Sequence, residues 1–323
     1  MEQKPLQKKV GFIGLGNIGA KLASSLLRNG VDLTIRDLDR QAAFPLLKAG
    51  ADWADSPKQV AETCDIVITC LPSPSISAAV MEAEDGILAG STKGKIWAEM
   101  STTDEKEVHR LARLMKQRGC ETVDCPVSGG CHPAATGNIS IFVGCERATF
   151  DQILPYLKKM GRQILHTGPL GSATVLKIVT NYLATANLVS LAEALSTCAA
   201  ADMDLQTSYE AIRISSGNSF VHETESQVIL NGSRDINFTM DLVLKDISLF
   251  NDVAARGGLT LELAPLLQQI FVDGIDRFGP REFSPNIIKR LEQPFGLDVT
   301  ADGFPAEIID DEAEEDGYEI KLH

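Results

Sequence analysis

The 323-residue chain has few of the features that mark secreted, nucleic-acid-binding or membrane-spanning proteins. Its seven cysteines are odd in number and form no Cys-x-x-Cys pair, so we expect no disulfide framework and a reducing, cytoplasmic setting. Basic residues are outnumbered, with 30 Lys and Arg against 44 Asp and Glu, which gives no sign of binding to nucleic acid or to an anionic membrane. The first residues are polar, and the apolar run at 10–15 is too short for a signal peptide or a membrane span.

The negative charge is concentrated at the C-terminal end of the chain. Of the formal net charge of −14, −9 falls on residues 297–323, where ten acidic residues face one lysine, and −5 remains for the first 296 residues. This segment is also low in aromatic residues, a composition typical of disordered chains. We therefore expect a flexible acidic tail over 297–323, attached to a folded body that is only mildly acidic.

Length and hydrophobic patterning predict two folded domains before this tail. Over residues 1–168, short β-branched runs alternate with helical stretches, which is the pattern of a Rossmann-type α/β fold with a doubly wound parallel sheet. The predicted strands are 10–13, 31–36, 65–70, 96–100, 121–124 and 139–143, and the predicted helices are 18–29, 41–49, 57–63, 105–118 and 149–160.

The second predicted domain, residues 169–296, begins with a long apolar stretch. From residue 170 to about 201 there is no proline, and apolar side chains fall on nearly all faces of the helix that this composition predicts. Such a helix of roughly 30 residues would be about 45 Å long, and its apolar faces indicate burial in a core or an interface. The residues that follow also read as helical, so we predict an all-α domain on a long central helix.

The segment 14–19, Gly-Leu-Gly-Asn-Ile-Gly, directly follows a predicted strand and opens a predicted helix, the context that separates a dinucleotide site from an ordinary turn. Gly14 allows a tight turn, Gly16 lets a pyrophosphate approach the backbone, and Gly19 lets the helix pack on the strand. Asn17 and Ile18 lie at the helix start, where unpaired N–H groups attract phosphates. A purely structural glycine turn is the alternative.

The choice of cofactor depends on two neighbouring residues at the end of the second predicted strand. Asp37 is placed to bond the ribose hydroxyls of the adenosine and would repel a 2′-phosphate, which favours NAD. Arg36 could pair with that phosphate, so NADP stays possible. Adjacent side chains of a strand point to opposite faces, and the two residues are therefore not equivalent there.

Two further sets of residues are candidates for binding and converting a substrate. Ser128, Gly129 and Gly130 follow a strand and a proline, and their N–H groups and hydroxyl could hold a carboxylate, although a plain Gly-Gly turn has the same letters.

Lys177 and Asn181 lie four apart on the long helix and share one face. A lysine on an apolar helix must reach a wet cavity or a partner, unless it extends along the helix edge to solvent. A lysine that moves protons near neutral pH needs a pKa below the ordinary value of about 10.4, which burial or a second cation, such as Lys245, would provide.

These motifs together resemble the β-hydroxyacid dehydrogenase family, which includes the 3-hydroxyisobutyrate dehydrogenases, from Lys9 to about Gly296. The resemblance implies that Ser128, Gly129 and Gly130 hold the acid group of the substrate, that Lys177 is the catalytic acid/base, and that Asn181 and Lys245 lie at the substrate. It also implies cofactor contacts by the glycine turn, Leu71, Pro72, Thr102 and Lys245, and a homodimer or homotetramer assembled through the α domains.

Several positions depart from the family pattern or admit another interpretation. Ala173 and Gly144-Cys145 stand where relatives often have a glycine and a Gly-Gly pair, and His132 either touches the substrate or faces solvent. Cys120, Cys125, Cys131 and His132 match no common zinc spacing, so we expect no metal site.

The leading functional hypothesis is hydride transfer between NAD and a short 3-hydroxy acid, or reduction of the matching semialdehyde. The resemblance allows 3-hydroxyisobutyrate, 3-hydroxypropionate, glycerate or tartronate semialdehyde, and a sulfonate such as sulfolactaldehyde, because one methylene group discriminates weakly. A polar segment at 216–219 is a candidate lining for the far end of the substrate. Imine reduction is disfavoured because relatives with that activity typically replace the lysine, and a non-catalytic NAD sensor would have no need of it.

Overall fold

The computed structural model of the chain describes residues 8–322 and divides into two compact units. The first unit contains the residues up to Lys177 together with the segment from Asp310 onwards, and the second contains Ile178–Ile309. The division differs from the boundary predicted at residue 168, because the first turns of the long helix belong with the sheet. It also divides the predicted tail between the two units.

The first unit is built on a ten-stranded sheet. The strands are β1 (Val10–Ile13), β2 (Leu33–Arg36), β3 (Asp52–Trp53), β4 (Ile66–Thr69), β5 (Ile96–Glu99), β6 (Glu121–Asp124), β7 (Val127–Ser128), β8 (Ser140–Gly144), β9 (Gln163–Gly168) and β10 (Tyr318–Glu319). Their order is β10-β9-β8-β6-β5-β4-β1-β2-β3, with β7 paired to β8. The portion 3-2-1-4-5-6 is the Rossmann order, whose ligand crevice lies at the carboxyl ends of β1 and β4, where the order reverses. The predicted Rossmann-type fold is confirmed.

Eight helices of the described chain connect these strands. They are α1 (Gly19–Arg28), α2 (Arg40–Lys48), α3 (Pro57–Thr63), α4 (Pro74–Glu82), α5 (Ile87–Gly90), α6 (Glu105–Gln117), α7 (Cys131–Thr136) and α8 (Arg147–Leu157). The starts of α3 and α4 follow from sequence, because Ser56 and Ser73 accept hydrogen bonds from N–H groups of the first turn and a proline follows each serine.

The alternating pattern predicted a parallel sheet, but the observed sheet is only partly parallel. β8 runs antiparallel to both β6 and β7, with Asp124 opposite Gly144 and Val127 opposite Ile141. The connection from β7 to β8 contains only the short helix α7, whereas a parallel pair needs a longer crossover. The strands β3, β7, β9 and β10 were not predicted either; three of them are only two residues long.

The strands at the centre of the sheet are buried on both faces. In β4, Ile66 and Ile68 pack in one hydrophobic cluster, with Phe12 and Ile35, while Val67 between them packs in another, with Trp97. Alternation of side chains along a strand places them on opposite faces. Helices therefore cover both sides, as a doubly wound sheet requires.

The second unit is helical, and α9 (Ser172–Ala200) begins in the first unit and continues into it. The other elements are α10 (Leu205–Arg213), α11 (Phe220–Asn231), α12 (Met240–Arg256), α13 (Leu263–Phe278), a 3₁₀ helix (Ser284–Ile288) and α14 (Lys289–Phe295). Among residues 8–322, α9 is the one helix long and apolar enough to cross a membrane by length and composition, but the core helix of a soluble protein passes the same test. The predicted all-α region on a long helix is confirmed.

The structure also differs from the expectation of a flexible acidic tail. Val299 is fully buried in the second unit, and the Ala301 N–H donates to the Leu230 carbonyl at 2.8 Å. In the first unit, Tyr318 and Glu319 form β10 beside β9. Composition alone predicted disorder. Basic side chains of the first unit form ion pairs with the acidic side chains of this segment, as described below.

Candidate active site

The glycine turn connects β1 to α1 at the carboxyl edge of the sheet. Gly14 has a φ of +99°, and a Cβ added there would lie 2.3 Å from the Cys70 carbonyl oxygen. A Cβ added at Gly19 would lie 2.0 Å from the Gly14 carbonyl oxygen, whereas one at Gly16 would meet nothing within 4 Å. Gly14 and Gly19 must therefore be glycine because protein atoms leave no room for a side chain. Gly16 instead leaves open space over the backbone. Such a cradle at a helix N-terminus fits a pyrophosphate.

The helix start itself suits an anion. Ile18 occupies the N-cap position of α1 and its apolar side chain accepts no hydrogen bond, while Asn17 precedes it in the turn. The Ala20 and Lys21 N–H groups donate to the Gly16 and Ile18 carbonyls, each at 3.0 Å, and the positive dipole end of the helix lies at this turn. Asn17 and Ile18 therefore lie where sequence reasoning placed them, beside the open space at Gly16.

Asp37 lies against the same turn. One carboxylate oxygen accepts the Leu15 N–H at 2.5 Å, and the other accepts the Asp39 N–H at 2.8 Å. Arg36 donates to the Asp37 carbonyl, and its guanidinium lies 5.2 Å from the centroid of the Trp53 ring, with Arg40 at 5.4 Å on the same ring. The carboxylate is thus fixed at the turn, while two guanidinium groups lie over the Trp53 ring.

Two loops at the ends of β4 and β5 are tied together by Ser101. Its hydroxyl accepts the Leu71 N–H at 2.7 Å and donates to Glu99 at 2.5 Å. Burial raises the pKa of the Glu99 carboxyl, and the hydrogen bonds from Ser101 oppose that effect. Pro72 and Thr102 follow Leu71 and Ser101 at this edge. Sequence reasoning did not identify Glu99 as a site residue. The available signal was an acidic residue at the end of the apolar run Ile-Trp-Ala.

The Ser128-Gly129-Gly130 turn lies between β7 and α7. Ser128 pairs with Ser140 of β8, and the two glycines have φ values of +127° and +90°, a region that other residues rarely adopt. Both glycines are exposed, and a Cβ at Gly130 would meet nothing within 4 Å. The turn therefore needs glycine for its backbone conformation and leaves its N–H groups uncovered. His132, in the first turn of α7, is half-buried.

Asp124 connects this region to the helix that carries Lys177. Its two oxygens accept the N–H groups of Gly171 and Thr174, each at 2.8 Å, and the Thr174 hydroxyl at 2.9 Å. Burial raises the pKa of the Asp124 carboxyl, while these hydrogen bonds act in the opposite direction. The first turn of α9 is therefore held by the end of β6. Lys177, three residues beyond Thr174, is buried, with only 8% of its surface exposed.

Within the second unit, Asn181 has a partner that sequence reasoning did not single out. Its amide donates to Asp246 at 2.6 Å, and the Lys245 ammonium lies 2.9 Å from the other oxygen of the same carboxylate. One residue beyond Asn181, Tyr182 stacks on Phe250 of α12 with ring centroids 4.0 Å apart. The contact between α9 and α12 thus brings Asn181 and Lys245 to one buried carboxylate.

The polar segment at 216–219 serves the start of α11. Ser219 caps that helix, the Asn218 side-chain carbonyl accepts the Ser219 N–H, and the Asn218 amide donates to Glu223 at 2.6 Å. The structure therefore gives Asn218 a local role in the second unit. A substrate contact by this segment stays a hypothesis, and a substrate ranking unchanged in Asn218→Ala would end it.

The cysteines do not form a metal centre in the described part of the chain. All seven are free thiols, and residues 8–322 contain no group of three or more His, Cys, Asp or Glu side chains arranged to hold a metal ion. Burial raises the pKa of the Cys70 thiol to about 12, and burial also raises the pKa of Cys125 well above its ordinary value. Thiols in such surroundings are inert.

A Rossmann sheet with an open glycine cradle at its switch point defines the class of NAD(P)-binding proteins. A family model described as the NAD-binding domain of 6-phosphogluconate dehydrogenase matches residues 9–168. A second, described as NAD-binding of NADP-dependent 3-hydroxyisobutyrate dehydrogenase, matches residues 171–289.

Among individual proteins, the chain is 34% identical over 293 residues to 2-(hydroxymethyl)glutarate dehydrogenase of Eubacterium barkeri, covering 90% of this chain and 97% of the relative. It is 32% identical over 304 residues to NAD-dependent L-serine dehydrogenase of Pseudomonas aeruginosa, covering 89% and 98%. The crystal structure of 3-hydroxyisobutyrate dehydrogenase from Salmonella typhimurium superimposes with a TM-score of 0.80 at 26% identity, covering 88% of this chain and all of that one.

The chain belongs to the β-hydroxyacid dehydrogenase family and is an oxidoreductase that uses NAD, with NADP also possible. The resemblance stated from the motifs is confirmed. The roles of the individual site residues and the identity of the substrate are matters for proposal.

Proposed function

We propose that the chain transfers a hydride between NAD and a short 3-hydroxy acid or the matching semialdehyde. Lys177 acts as the general acid/base, and Ser128, Gly129 and Gly130 hold the acid group of the substrate. When bound, NAD supplies the hydride acceptor. The glycine cradle at 14–19 and the carboxylate of Asp37 hold the cofactor.

The observation that carries the proposal is the attachment of α9 to β6. Because Asp124 accepts the Gly171 and Thr174 N–H groups, the first turn of the helix is fixed, and Lys177 follows three residues beyond Thr174. Positioning a proton-transfer group in this way contributes strongly to rate.

Lys177 is assigned the proton that leaves the substrate hydroxyl as the carbon loses its hydride. In the reverse direction its Nζ donates a proton to the carbonyl oxygen. The uncovered N–H groups of Gly129 and Gly130 and the Ser128 hydroxyl donate charge-assisted hydrogen bonds to the carboxylate, which are stronger than neutral ones. Asn181, oriented by Asp246, is assigned to the substrate hydroxyl, and Lys245, on the same carboxylate, adds a positive charge beside Asn181.

The names of the relatives narrow the substrate class. 2-(Hydroxymethyl)glutarate, L-serine and 3-hydroxyisobutyrate each carry a hydroxymethyl group on the carbon next to a carboxylate. They differ in the third substituent on that carbon. We therefore propose that this chain recognises the CH₂OH–CH–COO⁻ unit and that its specificity lies in the pocket for the third substituent.

The test is NADH formation across a panel of these acids, with 3-hydroxypropionate, glycerate and a hydroxysulfonate added, and NADP in parallel. Semialdehydes with NADH test the reverse direction, including tartronate semialdehyde and sulfolactaldehyde. We expect the protein to turn over one class of these compounds. In Lys177→Ala the turnover rate should fall by roughly 100-fold or more, while the affinity for NAD should stay the same. Lys116→Ala, a change of an exposed lysine on α6, is the control. NAD binding without turnover of any compound would favour a sensor over an enzyme.

We also propose that the chain assembles into a homodimer or homotetramer through its second unit. Leu183 on α9 and Leu263 and Leu266 on α13 are about half exposed, which is unfavourable unless another surface covers them. Light scattering is expected to give a multiple of the 34.9 kDa protomer mass. A protomer mass at micromolar concentration would contradict the proposal.

A further inference from the structure

We propose that residues 310–320, called the C-terminal strap below, position the substrate-holding turn by fixing the far end of α7. Helix α7 begins directly after Gly130 and ends at Thr136. The part of the inference that concerns substrate rests on the function proposed above. The part that concerns the order of α7 does not.

The strap is held to the first unit by backbone hydrogen bonds. The Gly317 N–H donates to the Lys158 carbonyl at 3.0 Å, and the Ile320 N–H donates to the Ile164 carbonyl at 2.8 Å. Tyr318 and Glu319 between them form the parallel strand β10. A Cβ added at Gly317 would lie 2.0 Å from the Gly161 carbonyl oxygen, so only glycine permits this approach.

Acidic side chains of the strap meet basic side chains of the sheet unit. Glu319 lies 2.5 Å from Arg147, and Asp316 lies 2.6 Å from Lys159. Arg162 lies 3.0 Å from Glu312 and 2.9 Å from Glu315. Exposed ion pairs contribute little individually, but a network along one segment selects where that segment lies.

The start of the strap contacts the end of α7. Asp310 accepts a hydrogen bond from the Thr136 hydroxyl and another from the Asn138 amide at 2.9 Å. The same amide donates to the Glu312 carbonyl at 3.0 Å. Because α7 is only six residues long, about 9 Å, anything that moves Thr136 also moves the helix start, where the substrate turn lies.

The middle of the strap joins α7 to α1. Glu314 accepts hydrogen bonds from Arg28 at 3.1 Å, from the Asn29 amide at 2.8 Å and from the Ser25 hydroxyl at 3.1 Å. The Arg28 guanidinium also donates to the Ala135 carbonyl of α7 at 3.0 Å. Helix α1 begins at the glycine cradle. The strap therefore connects the helix of the cofactor turn with the helix of the substrate turn.

The alternative is that the strap only covers the open edge of β9. Edge strands are commonly covered to prevent pairing with other chains. Covering β9 requires the residues around β10, however, and not the contacts that Asp310 and Glu314 make with α7 and α1. The positioning interpretation predicts that changes at Asp310 disturb α7, whereas the edge-covering interpretation predicts that they do not.

The test compares Asp310→Ala with Glu315→Gln in the full chain. Asp310→Ala removes the acceptor for Thr136 and Asn138, while Glu315→Gln alters only an ion pair with Arg162 and serves as the matched control. Hydrogen–deuterium exchange is followed in peptides covering residues 125–138, and KM for the 3-hydroxy acid, KM for NAD and kcat are measured.

We expect exchange in 125–138 to accelerate by about tenfold in Asp310→Ala, which corresponds to the loss of one to two hydrogen bonds, and not in Glu315→Gln. KM for the hydroxy acid should rise by about tenfold while KM for NAD stays the same. Gly317→Ala, which blocks docking of β10, should accelerate exchange in both 125–138 and 310–320.

Unchanged exchange at 125–138 in both Asp310→Ala and Gly317→Ala would overturn the proposal in favour of edge covering. So would a faster exchange with no change in KM for an acid that is turned over. If no acid is turned over, the function proposed above fails while the exchange data still decide whether the strap orders α7.

Discussion

Thr174 donates both its backbone N–H and its hydroxyl to one carboxylate oxygen of Asp124, at 2.8 and 2.9 Å. The other oxygen of that carboxylate accepts the Gly171 N–H. A residue at the end of a strand thus caps the helix that carries the proposed catalytic lysine. Gly144 packs against this carboxylate, and a Cβ added at Gly144 would lie 2.4 Å from Asp124.

Asp124→Ala should lower both stability and turnover. It leaves buried N–H groups without an acceptor, and hydrogen bonds to a charged group contribute about 1.5–3 kcal/mol each, so we expect a loss of about 3 kcal/mol in urea unfolding. We also expect turnover to slow by at least about tenfold, because Lys177 is no longer held in place. Thr174→Val, which removes only the hydroxyl, should lose about 1.5 kcal/mol, the contribution of a single hydrogen bond to the carboxylate. Equal effects of the two substitutions would contradict this account.

The contact between Asp124 and α9 shows where sequence reasoning reaches its limit. The Asp-Cys-Pro-Val-Ser-Gly-Gly segment and Lys177 were both identified, because a strand, a glycine turn and a helical stretch have local signatures. The partners of Asp124 lie about 50 residues away in the chain, and no local pattern specifies them. Asp246 was passed over for the same reason, since its partner Asn181 lies on another helix.

The C-terminal segment illustrates the same limit more strongly. Its acidity predicted disorder, because composition takes no account of distant partners. The acidic side chains pair with Arg147, Lys159 and Arg162, which lie about 150 residues or more earlier in the chain. Helix α4 is a different case: the Ser73-Pro74 pair is a start signal that could have been read from sequence and was not.

Gly16 and Gly19 should respond differently to substitution by alanine. A Cβ at Gly16 meets no protein atom within 4 Å, so Gly16→Ala should fold with unchanged stability and raise KM for NAD by about tenfold or more, because it occupies the space of the pyrophosphate. A Cβ at Gly19 collides with the Gly14 carbonyl, so Gly19→Ala should destabilise the protein by about 2 kcal/mol. Thermal unfolding and cofactor titration separate the two. Normal NAD binding by Gly16→Ala would place the cofactor elsewhere.

Asp37→Ser should shift cofactor preference towards NADP. The substitution removes a negative charge that repels the 2′-phosphate, and it leaves Arg36 and Arg40 beside the Trp53 ring. We expect the ratio of kcat/KM for NADP to that for NAD to rise by about tenfold or more. The change also removes the acceptor for the Leu15 N–H, so NAD turnover should fall. Arg36→Ala in the same background should reverse the gain, and a gain that survives would show that Arg36 does not contact the phosphate.

Glu225 on α11 should make the protein less stable as the pH rises. Burial raises the pKa of its carboxyl from an ordinary value of 4.5 to about 8, and no hydrogen-bond donor within residues 8–322 reaches its Oε2 atom. A group whose pKa is raised on folding contributes stability that is fully present below the unfolded pKa. That stability is lost as the pH rises through the folded pKa, so the loss falls between about pH 4.5 and pH 8.

Glu225→Gln removes this titration. The variant should match the parent protein near pH 4.5 and exceed its stability at pH 9 by on the order of 2 kcal/mol, after allowance for the partial exposure of the side chain. Urea unfolding at the two pH values measures the difference. Glu223→Gln, at an exposed position near the start of the same helix, is the control. A Glu225→Gln variant that follows the parent across the whole range would show that folding does not raise the pKa of Glu225.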